Sequence, residues 1–230
     1  MVKLLLWSVD HTLITTRGVG QEIFADCFER VTGQVMTERA AADGMTEPAA
    51  FRLTAELHGV TGDRPMVEAF ARLSAEQHRA RAAELRERGR ALPGAADTLA
   101  AVAGLGDAVQ SVVSGNIAAV ARAKLTTFGL GTHLRFPLGG YGEDHEERHE
   151  LVRVAMQRTR SALDTPLTAE SVVLIGDAPS DVAAGLTHGV RVLAVATGNS
   201  TMTELSDAGA DDVLPDLTDP AVLLDALADR

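Results

Sequence analysis

The sequence predicts an α/β fold: a doubly wound parallel sheet, covered by helices on both faces, with an α-helical insert. Three observations lead there. Five short apolar runs read as buried strands: Lys3–Val9, Val109–Ser114, Ser171–Ile175, Val190–Ala196 and the weaker Asp212–Leu214. Continuous apolar runs of this length suit strands buried on both faces. Helical patterns separate them, and strand–helix alternation implies βαβ units. One interval, residues 17–89, breaks the alternation with helical patterns and no convincing strand.

In chain order, the first strand, Lys3–Val9, is followed by the insert. There Ile23, Phe24, Cys27, Phe28 and Val31 recur on one face of a helix over Gln21–Thr32, which Gly33 ends. Two further helices are expected, over Pro48–His58 and Pro65–Arg88. The alternating charges of Arg79–Arg88 read as a solvated face. Pro93-Gly94 opens a helix over Ala95–Ala103. After the second strand comes Ile117–Phe128, closed by Gly129, then Glu150–Leu163 with Leu151, Val154 and Ala155 on one side, and Pro179–His188 before Gly189. The expected division is a core of residues 1–16 and 90–230 around a helical insert of 17–89.

Composition narrows the function classes. Among 230 residues, 46% are hydrophobic, enough for a sizeable core. Lysine and arginine number 21 against 32 acids, a net charge of −11, which gives no footprint for nucleic acid or an anionic membrane. The longest uncharged run, Ala108–Ala121, has 14 residues, and a membrane span needs about 20. Leu4–Trp7 is too short for the apolar region of a signal peptide. One cysteine, Cys27, excludes internal disulfides, and its apolar helix face assigns it to packing. The expected setting is cytoplasmic.

Ligands of open parallel sheets bind beyond the carboxyl ends of the strands. There the first strand offers Ser8, Asp10, His11 and Thr12; the second offers Ser114, Gly115 and Asn116; the third offers Asp177 and Asp181 after Gly176. A Gly-rich loop, Gly139–Gly142, leads to Arg148. Three carboxylates, a hydroxyl–amide pair and one cation at a single edge have the makeup of a magnesium-assisted phosphate site. Carboxylates hold a hard cation, while hydroxyl, amide and backbone N–H groups cradle phosphoryl oxygens. Ser114 and Asn116 also suit capping of the following helix. Thr46 and Glu47, between insert helices, and Arg17, near its hinge, are further candidates, whereas Asp144 and His145 read as loop surface.

These residues resemble the motifs of the haloacid dehalogenase (HAD) superfamily. Leu4-Leu5-Leu6-Trp7-Ser8-Val9-Asp10-His11-Thr12 is similar to its first motif, a strand followed by Asp-x-Asp-x-Thr. Val112-Val113-Ser114-Gly115-Asn116 is similar to the second, and Gly176-Asp177 with Asp181 to the fourth. Ala91-Leu92-Pro93-Gly94 before the second strand is also usual there. The resemblance spans the chain, four motifs in order, and the insert matches a C1-type helical cap. It implies a Rossmann-like core, Mg2+ held by Asp177, Asp10 and Asp181, and a small phosphorylated metabolite held near Thr12, Ser114, Gly115, Asn116, His11 and Thr46.

Two positions depart from the pattern. The third-motif cation, usually Lys, is matched by Arg148 ahead of the helix beginning near Glu150; Arg can stabilise the same anionic centre. The family's nucleophilic Asp is replaced by Ser8. A serine hydroxyl is neutral and a poor nucleophile without a base. Asp10, two residues on and on the same side of an ordinary strand, is the nearest base. A phosphoserine is also an unactivated ester, unlike an aspartyl phosphate. The expectation is therefore a phosphatase-type hydrolase that is inactive or crippled. Three readings of Ser8 stand open: a substitution made to trap substrate, a natural change giving a non-catalytic binding protein, or recruitment to chemistry such as proton transfer by Asp10.

Overall fold

The computed structural model of the protein describes residues 2–41, 44–164 and 166–228. Its centre is a six-stranded parallel sheet of β1 (Lys3–Trp7), β4 (Ala108–Ser114), β5 (Gly140–Tyr141), β6 (Val172–Gly176), β7 (Arg191–Val195) and β8 (Asp212–Leu214), in the order β5-β4-β1-β6-β7-β8. β1 lies mid-sheet, with Leu4 opposite Val109 on one side and Val172 on the other. Its alternate residues feed two cores: Leu5 and Trp7 pack on one face, Leu4 and Leu6 on the other. That two-sided burial is why the strand reads as an unbroken apolar run.

The first face is covered by α5 (Ala95–Ala103), α6 (Ala118–Thr127) and α10 (Pro220–Ala228). The second is covered by α7 (Arg148–Leu163), α8 (Pro179–Thr187) and α9 (Met202–Asp207). Among the described residues no helix is long and apolar enough to cross a membrane. Trp7 donates through its indole N–H to Gln110 Oε1 (3.1 Å), and Gln110 donates onward to the Leu99 carbonyl (2.9 Å). This fully buried chain ties β1 to β4 and α5, fixing the point where β1 delivers Ser8.

Between β1 and β4 lies a ribbon that the sequence did not announce. β2 (Ile14–Thr15) pairs antiparallel with β3 (Arg90–Ala91). Two-residue strands carry no periodicity to read. From this ribbon hang α1 (Val19–Thr32), α2 (Glu47–Leu57), α3 (Arg64–Ala80) and α4 (Ala82–Arg88). They bury their own aromatic cluster: the Phe70 ring lies 4.9 Å from that of Phe24 and 4.4 Å from that of Phe51. Cys27 is buried there, and burial, reinforced by the charge of Glu47, pushes its thiol up to about 12.

The single helix expected over Pro65–Arg88 is two. The chain breaks at Arg81, at φ −92° and ψ 20°, without proline or glycine to signal it. The Arg81 guanidinium gathers Glu22, Asp26 and Glu84 at the corner. Other boundaries also move: β1 stops at Trp7, two residues early, and α7 starts at Arg148 rather than near Glu150.

Candidate active site

Beyond Trp7 the chain turns tightly. Ser8 N–H donates to the Ile175 carbonyl (2.8 Å), and the Leu13 and Ile14 N–H groups both return to the Val9 carbonyl. His11 occupies the left-handed region at φ 65°, with its side chain exposed and its carbonyl accepting from Thr197 Oγ1 (2.7 Å). The turn aims Ser8 and Asp10 at different partners.

Ser8 is 4% exposed. Its Oγ accepts from Arg148 Nη2 (3.2 Å), and the same guanidinium donates from Nε (3.1 Å) and Nη2 (2.5 Å) to Asp181 Oδ1. Asp181 Oδ2 accepts the backbone N–H groups of Asp177 and Ala178 at the entry to α8. Burial alone would lower the Arg148 pKa, but the Asp181 carboxylate outweighs it and holds the guanidinium above its ordinary value. As the first residue of α7, Arg148 is aimed by a helix start.

Asp10 faces the other way. Lys124 Nζ donates to both of its oxygens (3.0 and 2.9 Å), and Asn116 Nδ2 donates to Oδ2 (2.7 Å). Lys124 also donates to Asn116 Oδ1 (2.8 Å), and Asn116 Nδ2 to Ser114 Oγ (2.8 Å). Burial would raise the Asp10 pKa; the Lys124 charge and these hydrogen bonds outweigh it, and the carboxyl sits below its ordinary value. Lys124 was not singled out from sequence. Its signal was a lysine at position 124 within the apolar stripe of Val120, Ala121 and Leu125, where it is only 6% exposed.

Asp177 stands between these pairs. Thr12 Oγ1 donates to its Oδ1 (2.6 Å), while among the described residues no ammonium or guanidinium bonds it. Burial and the Asp181 charge push its carboxyl up to about 7, against the Thr12 bond and Arg148. Gly198 closes on the other oxygen: a Cβ there would fall 2.0 Å from Asp177 Oδ2.

The helical insert covers the loop after β4. Glu47 N–H donates to the Gly115 carbonyl (2.7 Å), and a Cβ on Gly115 would meet the Met45 carbonyl oxygen at 2.5 Å. That approach requires glycine. Glu47 Oε1 accepts from Ser74 Oγ (2.8 Å), and burial raises its pKa, outweighing Lys124. Thr46, fully buried, caps α2 by accepting the Ala49 N–H (3.4 Å). Arg17 meets Arg88 through its carbonyl, and Asp144 pairs with Arg158 (2.7 Å), so contacts tie neither to the carboxylates.

Ser8, Thr12, Asp177, Asp181 and Arg148 thus form one connected group, and Asp10, Ser114, Asn116 and Lys124 a second. The three carboxylates do not make one cage; among the described residues no cluster of three His, Cys, Asp or Glu could hold a metal. Asp10 is spent on Lys124 and Asp181 on Arg148. The residues fit magnesium in its sparser mode, one carboxylate plus waters and substrate phosphate. Asp177, with one oxygen free of donors among the described residues, is the side chain that would hold it.

A family model for haloacid dehalogenase-like hydrolases matches residues 5–185. No curated protein matches. Among solved structures, a hydrolase from Pseudomonas syringae superposes with a TM-score of 0.67 at 16% identity, covering 99% of both chains. A predicted phosphatase from Clostridium acetobutylicum gives 0.65 at 15%, covering 100% of both. A predicted phosphoglycolate phosphatase from Haemophilus somnus gives 0.62 at 14%, covering 97% of this chain and 98% of that one. The parallel sheet, the loops that gather at its edge and the family match agree: the chain belongs to the haloacid dehalogenase-like hydrolase family.

Proposed function

We propose that this protein binds a small phosphorylated metabolite between its helical insert, acting as a cap, and the sheet edge, in the manner of a HAD phosphatase whose hydrolytic step is crippled at Ser8. The observation that carries the reading is Ser8 Oγ held by Arg148 beside Asp181, with Asp177 adjacent across the Thr12 turn. A phosphoryl group placed against Ser8 meets a fixed guanidinium on one side. Magnesium at Asp177 would neutralise phosphoryl charge on the other.

The same geometry explains why turnover should be slow. Attack by Ser8 Oγ on phosphorus needs its proton removed. Asp10, the expected base, is bound by Lys124 and Asn116, and its lowered pKa makes it a poor one. Arg148 gives Ser8 a donor where a nucleophile needs an acceptor. The Asp10–Lys124 clamp therefore favours the non-catalytic, ligand-binding variant of this reading over proton transfer by Asp10.

Thermal melts with orthovanadate and magnesium test the proposal. Ligand at 100 times its dissociation constant should stabilise the fold by about 2.7 kcal/mol, and Asp177→Ala should remove the magnesium-dependent part. If phosphate, vanadate and phosphorylated metabolites leave the melt unmoved while an uncharged compound shifts it, the reading fails.

A further inference from the structure

A cavity lies away from this chemistry. It is a cleft of about 780 Å3 between the helical insert and the sheet, and none of Ser8, Asp10, Asp177 or Asp181 lines it. That volume is in the range of small-molecule sites, about 300–1,000 Å3. α3 and α4 contribute Arg79 and Arg86 to one wall, and α6 contributes Arg122. The other wall carries Phe136, Pro137 and Tyr141, then Glu143, Asp144 and Arg158.

The charges divide the cleft. Arg158 is taken by Asp144, and Glu143 accepts the Ala118 N–H at the start of α6. Arg79, Arg86 and Arg122 make no ion pair among the described residues. Three uncompensated guanidinium groups thus share one recess on a chain of net charge −11. Arg122 lies over the Phe136 ring at 5.7 Å, so a flat group could stack there. The recess thus combines the guanidinium groups of Arg79 and Arg86 from the insert, an aromatic ring beside Arg122, and the carboxylates of Glu143 and Asp144.

We propose that this cleft binds a nucleoside diphosphate. Its phosphates face Arg79 and Arg86, its base stacks at Phe136 and Arg122, and its ribose hydroxyls donate toward Glu143 and Asp144. Guanidinium groups suit phosphate recognition by planar, multiple N–H donation. The ligand touches both insert and core, so it joins the two. The assignment does not depend on the function proposed for Ser8 and Asp177.

Calorimetric titration with ADP in EDTA, beside adenosine and pyrophosphate, tests it. ADP should bind more tightly than either fragment, and raised salt should weaken it. The double variant Arg79→Ala/Arg86→Ala and the single Arg122→Ala should each lose about tenfold or more. Arg30→Ala, the same single charge change as Arg122→Ala but on α1, should bind ADP normally, as should Asp177→Ala. All three arginines are exposed, so these variants should keep the native melt. Three results would overturn the proposal: pyrophosphate binding as tightly as ADP, ADP affinity unchanged in the cleft variants, or ADP affinity lost in Asp177→Ala.

Discussion

Two ion pairs flank the site, and they differ in what they leave available. Arg148–Asp181 joins α7 to α8, and its guanidinium has donors to spare for Ser8. Lys124–Asp10 joins α6 to the β1 turn; both carboxylate oxygens are covered and the ammonium also serves Asn116. One pair presents charge to a ligand, whereas the other withdraws it. Asp177, with neither kind of partner among the described residues, is the site's unbalanced charge, and burial accordingly pushes it toward protonation. This arrangement suits the proposed binding of an anion with a divalent cation better than proton transfer through Asp10.

The sharpest way to break this contrast is to restore a carboxylate beside Arg148. Ser8→Asp should raise magnesium-dependent turnover of p-nitrophenyl phosphate at least ~10³-fold, about 4 kcal/mol of barrier. Equal steady-state rates would show that Ser8 is not what limits hydrolysis.

The pairs themselves can then be compared by removing their cations. Arg148→Met strands Asp181, whose side chain is only 2% exposed, and should cost about 3–5 kcal/mol. Lys124→Met strands Asp10, 32% exposed, which water can partly solvate, so its cost should be nearer 2–3 kcal/mol. Denaturant midpoints give the order, and the reverse order would mean that Asp10 depends more on its partner than burial suggests.

A pH series probes the insert side of the Lys124 pair. His78 is 2% exposed; burial, with the Lys124 and Arg81 charges behind it, pushes its imidazole down to about 4 against the Ser74 carbonyl and Asp10. The unfolded chain protonates His78 near its ordinary 6.5, the folded chain only near 4. Stability from this group is therefore present above pH 6.5 and lost as pH falls toward 4, on the order of 3 kcal/mol. His78→Gln should flatten the profile over that window relative to the parent. The smallest effect is expected at Thr46: loss of the cap in Thr46→Ala should cost about 1 kcal/mol. Vanadate affinity should not change, because its hydroxyl already serves Ala49.

How much of this was legible depended on pattern length. β1, β4, β6 and β7 are buried runs of five to seven residues and β8 a half-buried run of three, and each was readable within two residues of its ends. β2, β3 and β5 have two residues each, and the six-residue α9 has under two turns; neither carries a period. In the site, Ser8, Asp177, Asp181 and Arg148 stand at strand ends or a helix start, where spacing speaks. Lys124 sits in the last turn of α6. There a lysine is ordinarily solvated, and only the fold shows that it faces Asp10. The break at Arg81 was hidden for a related reason: of the three carboxylates that hold it, only Glu84 is near in sequence, and Glu22 and Asp26 come from α1.

The β2–β3 ribbon changes the polymer problem that the sheet must solve. Leu4 must find Val109 across more than a hundred residues of chain. Ile14 meets Ala91 and Thr15 meets Arg90, so the whole insert leaves and re-enters at one point. Once those two residue pairs form, the sheet sees a closed loop rather than a long tether, and the helices inside it can grow or shrink without disturbing register. Doubling such a loop adds only about 0.6 kcal/mol of closure entropy. A scaffold clasped by these four residues can exchange one helical insert for another at almost no cost to its core.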